Sequence, residues 1–343
     1  MKRSRRLTSL VVGLLVAGFL WYFLLRLVGI EAILAALRAA DRRWVLVVLL
    51  LALGWMAAWS GTLAHVLAGL GRPVPRWRAA LVYLVVLLSN DVAPFSFGGG
   101  EPLAAYLVSR TTRTRYETAL LLVASSDVLN YLPSPVLAVL ALAVVASRAA
   151  LGRGLETVLA LLLAVSVLLV VGGFLAWRGR RRLAALAVDG LVAGEAVVAR
   201  VLPDLPRPRP STIRDRVGGF VEGLERIAED RRRLARGLGT ATVGWALQAE
   251  VLWASLQAIG VSTSAAVTVA AVTLVTVTDL VPLPGGIGSV DAALVLLLVA
   301  LTPATAPEAA AAALVFRAAT LVLPVLLGAA SLLVLRATRS AVG

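Results

Sequence analysis

Two stretches of this chain place acids, prolines and glycines where an apolar helix should continue. In the first, Asp91, Pro94, Gly98, Gly99, Gly100 and Glu101 interrupt an apolar run that begins at Ala79. In the second, Asp279, Pro282, Gly285, Gly286, Gly288 and Asp291 interrupt a run that begins at Ala265. Asp91, Pro94, Gly98 and Gly100 correspond to Asp279, Pro282, Gly286 and Gly288 at one common offset, and Pro133 and Pro324 follow at nearly the same one. Proline removes a backbone donor, and glycine permits turns closed to other residues. A helix that restarts after such a turn offers unpaired N–H groups and the positive end of its dipole, which is an anion site. The chemistry on offer is therefore recognition of an anionic group, with carboxylates available as proton carriers.

The cation for such a site is Arg317, in the middle of "AALVFRAATLVLP". An arginine at that depth costs at least ~2.5 kcal/mol on insertion scales, so it requires a counter-ion or a ligand phosphate. Asp91 and Asp279 either cap backbone donors or pair with Arg317. Glu250, in "GWALQAEVLWASL", is either a buried partner for a cation such as Arg317 or a proton carrier. Asp127 and Asn130 in "SSDVLNYLP" bind neighbouring helices or line the same path. Glu117 and Arg26 stand near span ends, where long side chains snorkel. His65, the single histidine, reads as a polar core partner rather than a proton relay.

The elements that must position these groups are membrane helices. The chain is 60% hydrophobic with a mean hydropathy of +0.92, against about 45–50% apolar residues in soluble domains. Apolar spans are predicted near 7–29, 43–70, 79–94, 117–146, 155–177, 238–260, 265–283 and 309–335. "KRSRR" ahead of the first imitates a signal peptide, but the apolar stretch is long and unbroken, which predicts a retained anchor. There are no cysteines, which excludes disulfides and thiolate chemistry. The net charge of +14 does not imply nucleic acid, because most of the 33 basic residues fall in loops on one side of the spans. That distribution obeys the positive-inside rule and predicts a multi-pass cell-membrane protein with both termini cytoplasmic.

The charge pattern holds on one condition: the segments after the two breaks must return to the side they came from. As a helix, 79–94 reaches only about 24 Å, short of a ~30 Å hydrocarbon core. The fold class predicted is an all-α polytopic membrane protein of about eight transmembrane helices, with two glycine-rich re-entrant segments in inverted-topology repeats. It forms one transmembrane domain over 1–343, with repeat 1 near 79–146, a basic cytoplasmic loop at 178–237 and repeat 2 near 265–335. Paired interrupted helices in inverted repeats point to a transporter's midplane site. In the basic loop, "PRPRP" reads as a stiff linker and "STIRD" as a helix start with Thr212 as N-cap. The apolar residues that follow it describe an amphipathic helix on the inner leaflet.

"PFSFGGGEPLAAYLVSR" and "LVPLPGGIGSVDAALVLLLVAL", with "AAAALVFRAATLVLPVLLGAASLL", resemble the transmembrane region of the lysylphosphatidylglycerol synthases and their free-standing, flippase-like relatives. The resemblance covers nearly the whole chain and is strongest over 90–110 and 279–331. It implies a helical membrane domain that moves an anionic or aminoacylated lipid between leaflets, with Arg317 as the headgroup cation. Two departures stand out. Ser126 occupies a position where the family often has a second arginine, and Asp291 replaces the more usual glutamate. The family's synthases carry a soluble transferase domain after this region, whereas the chain ends at Gly343, so lipid synthesis is not expected.

The reading is thus a non-enzymatic transporter of an anionic or aminoacylated phospholipid or a polyprenyl-phosphate-linked lipid, with no cofactor and no metal. A homo-oligomer or a lipid-modifying enzyme partner is compatible with it. The alternatives are a secondary transporter of a small soluble solute and a non-transporting membrane partner of a glycosyltransferase. A membrane-embedded enzyme lacks support, because the sequence offers no convergent base, nucleophile or metal cluster near an interface.

Overall fold

A computed structural model describes residues 30–93, 100–112, 114–148, 153–186, 188–190, 210–276, 278 and 284–340. The expected first span at 7–29 lies outside the described residues, as do Gly98, Gly99 and Asp279. Every regular element among the described residues is helical.

Helix α1 (Ile30–Ala39) leads into α2 (Arg42–Gly69), whose N-cap Asp41 accepts a hydrogen bond from the Arg43 N–H at 2.8 Å. A short loop follows, then α3 (Arg76–Val92) and α4 (Gly100–Thr112). Next come α5 (Tyr116–Tyr131) and α6 (Ser134–Arg148). These two form one kinked apolar stretch, because Pro133 has no N–H to continue the ladder. After α7 (Arg153–Arg178) the chain turns by 81° at Gly179 into a helical segment over Arg180–Gly190. The basic loop contributes α8 (Pro210–Glu229), and α9 (Arg231–Ile259) re-enters the apolar body. The chain closes with α10 (Ala265–Val275), a short turn at Pro284–Gly286, α11 (Ser289–Leu301), α12 (Ala306–Arg317) and α13 (Leu323–Ser340).

Three described stretches are long and apolar enough to cross a membrane: Arg42–Gly69, Tyr116–Ser147 and Ala306–Thr338, with a fourth if the bent pair at Gly179 counts as one. Helix α9 is long but less apolar because it is the inner helix, packed along α2 and also touching α5, α10 and α12. Its buried Trp245 forms edge-on ring contacts with Trp59 at 5.4 Å and with Tyr131 at 5.9 Å. The Trp245 indole N–H donates to the Asn130 carbonyl at 2.6 Å, beside the break that Pro133 makes. The indole thus gives a buried carbonyl beside the break a side-chain partner.

The two halves share an order of elements. In each, a first helix ends at a glycine-rich break, a helix of 13 residues follows, and then a stretch kinked at a proline. Helix α4 runs back along α3, and Thr112 at its end lies beside Arg78 at the start of α3. Helix α11 runs back along α10, so that Leu297 and Leu301 share one apolar cluster with Val267 and Ala270. The second kink has a different local form. Five residues of π-helix, Ala318–Val322, carry the chain from Arg317 to Pro324, and the Leu323 N–H bonds the Ala318 carbonyl.

Two local expectations are revised. Helix α8 begins at Pro210, so Thr212 lies within its first turn and is not the N-cap. Proline suits that position, since its missing N–H is one a helix start leaves unpaired anyway. His65 is half-buried at the basic end of α2, within electrostatic reach of Arg76, Arg233 and Arg236, rather than deep in the core.

Candidate functional site

The residues flagged in the two breaks come together. Gly285 has a φ of +58°, and a methyl group there would fall 3.1 Å from the Asp91 carbonyl oxygen and 2.8 Å from Leu321. The turn of the second break therefore sits against the last turn of α3, where the first break begins. Only glycine gives both the left-handed backbone and the clearance.

On the second-break side, the polar centre is an ion pair. Arg317 Nε donates to Asp291 Oδ1 at 3.0 Å, and 13% and 5% of the two side chains are exposed. The Arg317 Nη2 group also donates to the Gly285 carbonyl. Asp291 is fixed from its other oxygen, which accepts the Gly288 N–H at 2.8 Å. Asp291 thus occupies the first turn of α11, where a carboxylate is favoured by the helix dipole, and caps the backbone of Gly288. Arginine has five N–H donors, and these contacts engage Nε and Nη2, leaving further donors without a partner among the described residues.

On the first-break side lies a carboxylate-rich cluster. Asn90 donates to the Asp127 carboxylate, and Glu101 is within electrostatic reach of Asp127. Tyr83, one helical face up α3 from Asn90, is buried and lies close enough to feel the charges of Asp127 and Asp91. Asn130 approaches the Tyr83 hydroxyl at 3.4 Å. Gly100 is seated on Asn90: a methyl there would fall 2.2 Å from the Asn90 side-chain oxygen. Glu101 then takes the first turn of α4, as Asp291 does in α11, though two positions earlier in the repeat register.

These contacts link Asp91 through Gly285 to Arg317, Asp291 and Gly288, and group Glu101, Asp127, Asn130 and Gly100 around Tyr83 and Asn90. Gly286, with a φ of +60°, completes the turn beside Gly285. Arg317 is paired with Asp291; among the described residues no ion pair joins it to Asp91 or Glu250, and Asp279 lies outside them. Tyr83 and Asn90 were not singled out in the sequence. The available signal was spacing, since they stand seven residues apart on α3, the helix that also carries Asp91. No group of three or more His, Asp or Glu side chains among the described residues converges as a metal set would.

An apolar helical bundle with broken helices meeting at a polar centre defines a multi-pass membrane protein. The lysylphosphatidylglycerol synthase TM region family matches residues 9–328, and the chain belongs to that family. It is also 28% identical over 271 residues to a "UPF0104 membrane protein" of Methanothermobacter thermautotrophicus (strain Delta H), covering 77% of this chain and 78% of that one.

Proposed function

We propose that this chain is a flippase-like transporter, not an enzyme, and that it carries a lipid with an anionic headgroup between the leaflets of the cell membrane. The substrate class is an anionic or aminoacylated phospholipid or a polyprenyl-phosphate-linked lipid. The observation that carries the reading is Arg317, a largely but not fully buried cation tied to Asp291 where the two breaks meet, with N–H donors left over for a phosphate. Charge-assisted bonds from arginine to phosphate are strong and geometrically selective. The carboxylates Asp91, Glu101 and Asp127, on the first-break side, serve as polar lining and proton carriers.

Helix lengths support a re-entrant arrangement. Helix α3 has 17 residues and α4 and α11 have 13 each, or about 25 and 20 Å at 1.5 Å per residue. Neither length reaches across a ~30 Å core, and α4 returns to the end at which α3 starts. Irregular backbone at membrane depth is tolerated only inside protein or beside a watery cavity. With both segments returning, the basic loops fall on one side and both termini are cytoplasmic.

The test uses purified protein in liposomes carrying a headgroup-labelled anionic lipid and an impermeant quencher. Native protein should expose inner-leaflet label faster than protein-free liposomes do. No exchange with phospholipid or polyprenyl-phosphate probes would sink the lipid reading. Uptake of a small anion in its place would favour the small-solute alternative.

A further inference from the structure

A second polar feature lies at the opposite end of α3 from the two breaks. Where α2 ends and α3 begins, a recess of about 180 Å³ is walled by Arg72, Arg78, Thr112, Thr114 and Thr118. Its remaining wall is apolar, built from Leu67, Leu70, Val74, Val82 and Leu122. From Arg78 to Asp91 is about 20 Å along α3 at 1.5 Å per residue, so this recess is separate from the Arg317 site. Among the described residues, neither Arg72 nor Arg78 has a carboxylate within ion-pair distance. By contrast Arg115, Arg180, Arg181, Arg233 and Arg317 each have one.

The hydroxyls complete the picture. Thr112 donates to the Val108 carbonyl at 2.7 Å and shares a 2.8 Å bond with Thr114. The Thr118 hydroxyl has no partner among the described residues, so it is available as a donor. Two unpaired guanidinium groups, free hydroxyl capacity and an adjoining apolar wall fit a phosphate attached to a hydrocarbon. The volume is below the ~300–1,000 Å³ of pockets that enclose a whole small molecule, so the recess takes a headgroup while the tails stay outside.

We propose that this recess is a binding site for the phosphate of a membrane phospholipid, formed by Arg72, Arg78 and Thr118. It holds the lipid at the basic ends of α2 to α5 and does not depend on any transport step. Position selects the lipid over a free anion: the apolar wall would gain nothing from inorganic phosphate, and the helix ends that frame it belong to an apolar bundle.

Native mass spectrometry of the full detergent-purified chain tests this. Phosphatidylglycerol, diacylglycerol and inorganic phosphate are the three probes. Phosphatidylglycerol should be retained and diacylglycerol should not, and inorganic phosphate in excess should displace the lipid poorly. Arg72→Gln/Arg78→Gln should lower phosphatidylglycerol retention about tenfold, since charge-assisted bonds dominate such a contact. Thr118→Val should lower it by a smaller factor. Arg42→Gln/Arg43→Gln removes the same charge at the other end of α2 and should leave retention unchanged. Equal retention by the Arg72/Arg78 and Arg42/Arg43 variants overturns the site, as does diacylglycerol binding as well as phosphatidylglycerol. Displacement by inorganic phosphate at matched concentration overturns the lipid assignment in favour of a free-anion site. The altered arginines are exposed, so the variants should fold.

Discussion

Arg317 and Asp291 are bonded at 3.0 Å inside the bundle, and Asp291 spends its other oxygen on the Gly288 N–H. The pair joins the C-terminal end of α12 to the first turn of α11, and Asp291 within it caps the second break. Its removal has two consequences that must be separated. Breaking a buried pair by deleting one partner costs about 3–5 kcal/mol, because the other charge is left uncompensated. Arg317→Ala should therefore lower thermal stability as well as abolish lipid exchange. Arg317→Met/Asp291→Asn removes both charges and keeps an acceptor for Gly288, so its melting temperature should return close to native while exchange stays absent. Native-rate exchange by a stable double variant would remove Arg317 from the lipid path.

Gly285 ties the two breaks together. With φ at +58°, the Asp91 carbonyl 3.1 Å away and Leu321 at 2.8 Å from a would-be methyl, alanine fits neither the backbone nor the space. The backbone alone costs about 1–2 kcal/mol for an L-residue. Gly285→Ala should lower the unfolding temperature by a few degrees and slow exchange at least about tenfold, by pushing the breaks apart. Gly260, which also has a positive φ (+86°) but open space around its Cβ position, supplies the control. Its alanine variant should lose comparable stability and keep exchange. Equal exchange loss in both would mean that stability, not the meeting of the breaks, governs transport.

The breaks were legible because proline and glycine act locally: Pro133, Pro324, Gly285 and Gly288 each interrupt a helix through their own backbone chemistry. The partner of Arg317 was not legible. Asp91, Asp279 and Glu250 all had the right charge, and only packing brings Asp291, at the start of α11, against the end of α12. Helix α10 shows the same limit, since its apolar run continues to 283 in sequence whereas the helix ends at Val275. Tyr83 and Asn90 escaped notice because their seven-residue spacing marks a shared face of α3 without saying what that face meets, and only packing brings Asp127 to it.

Trp245 closes the first kink from outside the repeat. It is 2% exposed, and its N–H donates at 2.6 Å to the carbonyl of Asn130, three residues before Pro133. Trp245→Phe keeps most of the ring contacts with Trp59 and Tyr131 and deletes the donor. Leaving a buried carbonyl without its partner costs about 1–3 kcal/mol. The expected result is a lower unfolding temperature in detergent, read from the remaining tryptophans. An unchanged value would mean that water or the backbone satisfies Asn130 instead.

The basic loop is fastened by Glu225 in α8. Arg181 donates to it through Nε at 3.1 Å and Nη2 at 2.9 Å, and Arg180 through Nε at 2.9 Å. Hydrogen bonds from the Arg181 guanidinium hold the Glu225 carboxyl below its ordinary value of 4.5. Because the folded value lies below the unfolded one, the stabilisation is present at neutral pH and disappears as pH falls through the folded value. Helix α8 should therefore stay docked at pH 7 and loosen well below pH 4.5. Hydrogen exchange in α8, followed from pH 7 downward, reads this directly when rates are corrected for intrinsic chemistry. Glu225→Gln should show the loosened exchange already at neutral pH. If native and Glu225→Gln protein protect α8 equally at pH 7, the helix is held by its apolar face against α5 (Gly223 seated on Leu121) and the arginine contacts are incidental.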